Sequence, residues 1–268
     1  MSLGDSRPIG VFDSGVGGLT VLKAIRGLLP SESTIYLADL LHFPYGPRYP
    51  EEVKGFAINI IRYLQSRDVK LVVIACNTAS ATALNHAREL FDVPIVGVIS
   101  PGAQAAVEAT KRKQVAVIST EGTRLSQEYL HAIKEFDPTV GVYQKACPGL
   151  VDIVEDGDAT SPRAEEALRR ELADLDQSGA DVLVLGCTHY PLLAPTIEKV
   201  FPGRFHLVDS ARTTAVKVER HLQHAHMAAS GPAAKHELLV TAHPVRFSEI
   251  AQILFGEPLP EVQEVTIG

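Results

Sequence analysis

A chain of 268 residues holds one large domain or two small ones, at roughly 100–200 residues per domain. With 46% hydrophobic and 21% charged residues it has the makeup of a globular protein with a sizeable core. A formal net charge of −7 argues against a nucleic-acid-binding surface, and the longest apolar runs fall far short of the ~20 residues that cross a bilayer.

The N-terminal MSLGDSRPIG has no apolar stretch of signal-peptide length. Short β-branched runs then alternate with longer amphipathic segments. The first predicted strand, Ile9–Phe12, runs into Asp13-Ser14 and a glycine-rich turn, Gly15–Gly18, before a helix over Leu19–Leu29. Strands at Thr34–Leu37 and Leu71–Ala75 bracket a helix over Glu51–Ser66. Cys76-Asn77-Thr78 follows, opening a helix over Thr78–Phe91, and then a strand at Ile95–Val98. The pair Pro101-Gly102 reads as a crossing point within Ser100–Gly102.

A second series begins with a strand at Val115–Ile118, followed by Ser119-Thr120 and Thr123. It continues through a helix over Leu125–Phe136, a strand at Val142–Lys145 and a helix over Ala164–Gln177. The strand Val182–Leu185 leads into Cys187-Thr188-His189 and a helix over Leu192–Val200. Strands at Phe205–Val208 and Leu238–Thr241 and helices over Thr213–His226 and Val245–Leu254 complete the chain, with Gln223–Lys235 as a surface loop.

Continuous apolar strands alternating with helices predict an α/β fold of mainly parallel, doubly wound sheets covered on both faces. The separation from Asp13 to Cys76 is 63 positions and that from Thr120 to Cys187 is 67, which suggests two related halves. Residues 1–99 with 210–268 are expected to form one domain and 100–209 the other, the turn at Asp209–Ser210 being the return crossing.

In open parallel sheets, ligands sit beyond the carboxyl ends of the strands. Four polar clusters fall there: Asp13-Ser14, Cys76-Asn77-Thr78, Ser119-Thr120 with Thr123, and Cys187-Thr188-His189. Ser14, Thr78 and Thr123 read equally as helix caps and as ligand contacts, and a capped helix start still presents N–H groups to an anion.

Of three cysteines, two occupy the same kind of place, at the end of a buried strand where a helix begins. A free thiol has a pKa of about 8.5, so roughly 3% is thiolate at pH 7. A helix N-terminus alone supplies too little to change that, and a neighbouring base or donor must add the rest. His189 is within reach of Cys187 in sequence, and Asp13 within reach of Cys76 across strands. Two matched thiols suggest two proton carriers facing one carbon, and Cys147 reads as a packing residue. The cysteine spacing makes no disulfide framework, which points to a reducing cytoplasm. No CxxC pair supports zinc, and His221, His224 and His226 are poorly spaced for one helical face, so no metal is expected. Thr20 stands where GxGxxG needs glycine and no P-loop occurs, so GVGG reads as a tight turn approached by a small ligand.

The segments FDSGVGGLTV (Phe12–Val21), PYG (Pro44–Gly46), ACNTASA (Ala75–Ala81), STEGT (Ser119–Thr123) and GCTHYPLL (Gly186–Leu193) resemble the glutamate racemases of the aspartate/glutamate racemase superfamily. The resemblance spans nearly the whole chain. His189 favours this group over the aspartate racemases, which usually carry glutamate there. It implies two α/β domains with the site in the cleft between them, and cofactor-independent interconversion of L- and D-glutamate for peptidoglycan synthesis by a cytoplasmic homodimer. It further implies Cys76 and Cys187 as acid/base thiols, Asp13 assisting Cys76, and His189 and Glu155 assisting on the other side. Asp13, Ser14, Pro44, Tyr45, Gly46, Cys76, Asn77, Thr78, Thr120, Thr123, Cys187, Thr188 and His189 would hold the substrate. Three departures from the family pattern stand out: Gly149 and Asp152 before Glu155, and Ser119 in place of a glycine.

Overall fold

The computed structural model describes residues 4–229, 234–256, 259 and 261–267; of the Gln223–Lys235 tract, residues 230–233 lie outside the described residues. Ten strands are described: β1 (Ile9–Asp13), β2 (Thr34–Ala38), β3 (Leu71–Ile74), β4 (Ile95–Gly97), β5 (Gln114–Ser119), β6 (Gly141–Ala146), β7 (Val182–Gly186), β8 (His206–Asp209), β9 (His236–Val240) and β10 (Val262–Glu264). The helices are α1 (Leu19–Leu28), α2 (Pro50–Ser66), α3 (Asn77–Leu90), α4 (Ile99–Ala109), α5 (Glu121–Ser126), α6 (Glu128–Phe136), α7 (Gly149–Glu155), α8 (Pro162–Leu172), α9 (Ala194–Val200), α10 (Ser210–His224) and α11 (Pro244–Phe255).

The strands form two sheets, ordered β10-β9-β2-β1-β3-β4 and β6-β5-β7-β8, and every pairing is parallel. The order β2-β1-β3-β4 and the order β6-β5-β7-β8 are the same arrangement repeated. In each, the chain reverses its direction of winding between the first and third strands of the series. Those two carboxyl ends flank a topological switch point, where helices on opposite faces leave a crevice. Asp13 and Cys76 stand at one switch point; Ser119 and Cys187 stand at the other.

Period-two alternation sorts each sheet's side chains into two cores. Ile9, Val11, Leu71 and Val73 pack with α1 and α10, whereas Phe12, Val72 and Ile74 face α2 and α3. In the second sheet Ile118, Leu183 and Leu185 pack toward α7 and α8, and Val115, Val117, Val182 and Val184 pack toward α4 and α6. The last strands return to the first sheet, β9 beside β2 and β10 at the edge.

Three details depart from the sequence reading. Ser100–Gly102 is not a separate turn but the first turn of α4, the helix through which the chain passes from β4 of one sheet to β5 of the other. Pro101 is tolerated there because the first helical N–H groups have no intrahelical acceptor. The segment Leu125–Phe136 is two helices, α5 and α6, separated by Gln127 in the left-handed region at φ 59°. Helix α7 and strand β10 are too short to carry a readable period.

Candidate active site

Cys76 caps α3: the Ala79 N–H donates to its Sγ at 3.5 Å, and its thiol lies 3.9 Å from Ser14 Oγ. The β3-to-α3 turn thus leaves a sulfur at a helix N-terminus. Cys187 follows β7, with its Sγ 3.8 Å from His189 Nδ1. Both sulfurs line one cavity with Ser14, Pro44, Tyr45, Gly46, Asn77, Thr78, Thr120, Thr188 and His189. Phe43 and Val151 complete its wall and were not singled out from sequence; Phe43 directly precedes PYG, whereas Val151 carries no local signal.

Asp13, Thr123 and Glu155 do not line the cavity; each bonds a residue that does. Thr188 Oγ1 donates to Asp13 Oδ2 at 3.3 Å, and the Gly18 N–H donates to the same oxygen at 2.7 Å. Thr120 and Thr123 are joined through their hydroxyls at 3.0 Å, and Thr78 reaches Thr120 at 2.9 Å. That Thr78–Thr120 contact joins the two halves, and so does the Gly122 N–H donating to the Gly46 carbonyl at 3.1 Å. Glu155 Oε1 lies 3.2 Å from His189 Nε2.

The glycine-rich turn is required by close approach. A Cβ at Gly17 would lie 2.5 Å from Thr188 Oγ1 and 2.6 Å from His189 Nδ1, and one at Gly18 would collide with Asp13. The GVGG run therefore lets the first half's backbone touch the segment after Cys187.

Burial sets the electrostatics. It pushes Asp13 above the usual carboxylate range, although His189 and the Gly18 and Ser14 N–H groups pull the other way. Burial also pushes the Cys76 thiol far up, with the Asp13 charge adding to the effect, so Cys76 is a neutral thiol at pH 7. For His189, burial opposes the imidazolium, but contacts with Cys187 and Glu155 outweigh it and raise its pKa to about 10. A protonated ring donates from both nitrogens, to Cys187 on one side and Glu155 on the other. Cys147 is fully buried beneath β6, its thiol pushed up to about 12 mainly by desolvation, outside the cavity.

Asn77 is 2% exposed and its Nδ2 has no partner among the described residues. An unmade buried hydrogen bond costs roughly 1–3 kcal/mol, so this donor is poised for an acceptor that enters the cavity. Among the described residues there is no group of three or more metal-ligating side chains and no helix long and apolar enough to cross a membrane.

A small cavity lined by two thiols, an imidazolium, hydroxyls and an amide, at the N-terminal ends of α3 and α5, is suited to moving protons at a carbon that bears a carboxylate. The family model described as Asp/Glu/Hydantoin racemase matches residues 19–218. A glutamate racemase of Geobacter metallireducens is 42% identical over 262 residues, covering 97% of each chain. The crystal structure of a glutamate racemase isoform from Bacillus anthracis superposes with a TM-score of 0.94 at 38% identity, covering 97% of each chain. The glutamate racemase of Francisella tularensis, solved with D-glutamate, matches with a TM-score of 0.92 at 29% identity over 98% of each chain. An aspartate racemase of Picrophilus torridus shares only the fold, at 18% identity and a TM-score of 0.59. The chain belongs to the Asp/Glu/Hydantoin racemase family and is an amino-acid racemase.

Proposed function

We propose that this protein interconverts L- and D-glutamate by a two-base proton transfer at Cα without a cofactor, with Cys76 and Cys187 on opposite faces of the substrate. The observation that carries the reading is that both thiols line one cavity, each at the switch point of its own sheet. From L-glutamate, Cys187 removes the α-proton and Cys76 returns one from the other side; from D-glutamate the roles exchange.

The electrostatics agree with this division. A neutral Cys76 thiol is a proton donor ready for the L-to-D direction. The His189 imidazolium, 3.8 Å from Cys187 Sγ, is placed to donate to a sulfur that carries negative charge. Glu155 holds the other face of that ring, and Asp13 accompanies Cys76 as the group that receives or returns its proton. The carbanion needs support at its carboxylate. The N-termini of α3 and α5, the Asn77 amide and the Thr78, Thr120 and Thr188 hydroxyls supply donors around one small space. Ser14, Pro44, Tyr45 and Gly46 close it from the first half, with Thr123 behind Thr120.

We assign residues 1–99 with 210–268 to one domain and 100–209 to the other, with the site in the cleft between them. The division of strands between the two sheets supports it. A cytoplasmic homodimer supplying D-glutamate to peptidoglycan synthesis completes the reading.

The test is incubation of the purified protein with L-glutamate in heavy water, without pyridoxal phosphate. D-glutamate carrying deuterium at Cα is expected, and Cys76→Ser or Cys187→Ser should each cut racemisation by about 10² or more. Near-normal rates in both variants, or dependence on pyridoxal phosphate, would overturn the assignment.

A further inference from the structure

Tyr129, on α6, is fully buried in the second half, yet its hydroxyl donates to Oδ1 of Asn77, on α3 of the first half, at 2.8 Å. Its ring lies against the residue before the other thiol. A Cβ at Gly186 would stand 3.1 Å from Tyr129 Cε2 and 2.9 Å from the Ile118 carbonyl oxygen, so the ring packs tightly against a residue that the backbone behind it keeps as glycine. One side chain therefore meets the residue after Cys76 and the residue before Cys187.

The hydrogen bond has a consequence for the amide. A side-chain amide offers one acceptor and two donors, and its two ends are nearly equal in shape. With Oδ1 committed to the phenol, Nδ2 is the end left over, and it has no partner among the described residues. Asn77 also lines the cavity that holds both sulfurs. Ser210, at the start of α10, is a polar neighbour of the phenol whose hydroxyl can donate to the phenol oxygen. The phenol's single hydrogen is then free for Asn77. Burial pushes the phenol's pKa well up, so it remains a donor throughout the working range.

We propose that Tyr129 is a positioning residue that locks the Asn77 amide with its NH2 toward the cavity, as a donor to a carboxylate of the substrate. The inference rests on the racemase reading of this site and adds to it a residue that touches neither substrate nor thiol. Without the phenol hydroxyl, the amide is free to turn its oxygen inward, where it repels a carboxylate. Ground-state and transition-state binding suffer alike, because the carboxylate is present in both.

The experiment measures KM and kcat for L-glutamate in the wild type, Tyr129→Phe, Asn77→Ala and the double variant, with the melting temperature of each. Tyr129→Phe keeps the buried ring. It is expected to raise KM about fivefold to tenfold with kcat changed much less. In the Asn77→Ala background the same change should have no further effect on KM, since its target is gone. An unchanged KM in Tyr129→Phe, or an equal effect in both backgrounds, would overturn the proposal.

Asn77→Asp supplies a second route that does not depend on how Tyr129→Phe folds. With one carboxylate oxygen bound to the Tyr129 hydroxyl, the other faces the cavity, so KM should rise above that of Asn77→Ala. Binding tighter than Asn77→Ala would mean that the native amide presents its oxygen, the opposite orientation. A wild-type protein that turns over no glutamate would sink the racemase reading and this proposal with it. Turnover with the wrong variant pattern would remove Tyr129 alone.

Discussion

Asp13 and Ser119 stand at equivalent ends of the middle strands of the two sheets, and only one of them can ionise. Ser119 pairs with Gly186, the residue before Cys187, and the Phe12–Ile74 pairing sets Asp13 beside Ala75, the residue before Cys76. The first thiol thus has a carboxylate on the neighbouring strand. The second has a hydroxyl there, which turns to the Thr120 carbonyl, and takes its charged partner from His189 instead.

This asymmetry has a kinetic signature. Asp13→Asn should lower kcat/KM by about a hundredfold or more. The two directions must fall equally, because enantiomers are equal in free energy. The primary isotope effect need not follow. With Cys76 the weakened base, deuterium at Cα should slow the reaction more from D-glutamate than from L-glutamate. Equal isotope effects from the two enantiomers would remove Asp13 as the partner of Cys76.

The raised pKa of His189 makes a stability prediction. Its ordinary value is 6.5 and its folded value is about 10, so the protonated ring favours the folded state. That contribution is fully present below pH 6.5, declines as the pH rises, and is gone above about 10. The melting temperature of wild type minus that of His189→Gln should therefore be largest in acid and shrink between those limits. A difference that grew with pH would show the ring to be neutral in the folded protein.

Glycine substitutions should separate close approach from mere flexibility. Gly17→Ala meets Thr188 and His189 and should cost about 1–3 kcal/mol, with activity falling even in the folded fraction. Gly55 is exposed within α2 and nothing lies near its missing Cβ. Gly55→Ala should stabilise by about 0.5–1 kcal/mol with activity unchanged. Urea titrations of the two variants check both signs.

Far from the cavity, Lys70 and Glu32 form an ion pair at 2.6 Å with both side chains nearly or wholly buried. Lys70 also donates to the carbonyls of Asp5 and Met227, and Glu32 accepts from the Ala229 N–H at 2.8 Å. Lys70→Met leaves a buried carboxylate without its cation and should destabilise by about 3–5 kcal/mol. Adding Glu32→Gln should recover part of that loss by removing the charge while keeping an acceptor for Ala229. Equal stability of the single and double variants would show that the charge is not what is lost.

Much of the fold was legible because its signals are local. Ile9–Phe12, Leu71–Ala75 and Val182–Leu185 are apolar runs ended by polar residues, and that pattern marks a covered strand and its carboxyl end without knowledge of any neighbour. The GVGG turn and the two strand-end thiols were visible for the same reason. Spacing alone matched Asp13 with Thr120, whereas strand register matches it with Ser119, because register is set by which residues hydrogen-bond across strands. Glu155 illustrates the opposite case: only resemblance placed it near the site, and its contact with His189 spans 34 positions.

The sequence by itself determined the α/β class, the alternation of elements and the set of polar residues delivered to strand ends, since these follow from side-chain size, polarity and period along a short stretch. The tertiary structure alone decided that Thr78 meets Thr120, that Gly17 lies under His189 and that a tyrosine of one half orients an asparagine of the other. Those contacts join segments remote along the chain, and their geometry depends on how two separately packed sheets dock, which no local pattern encodes.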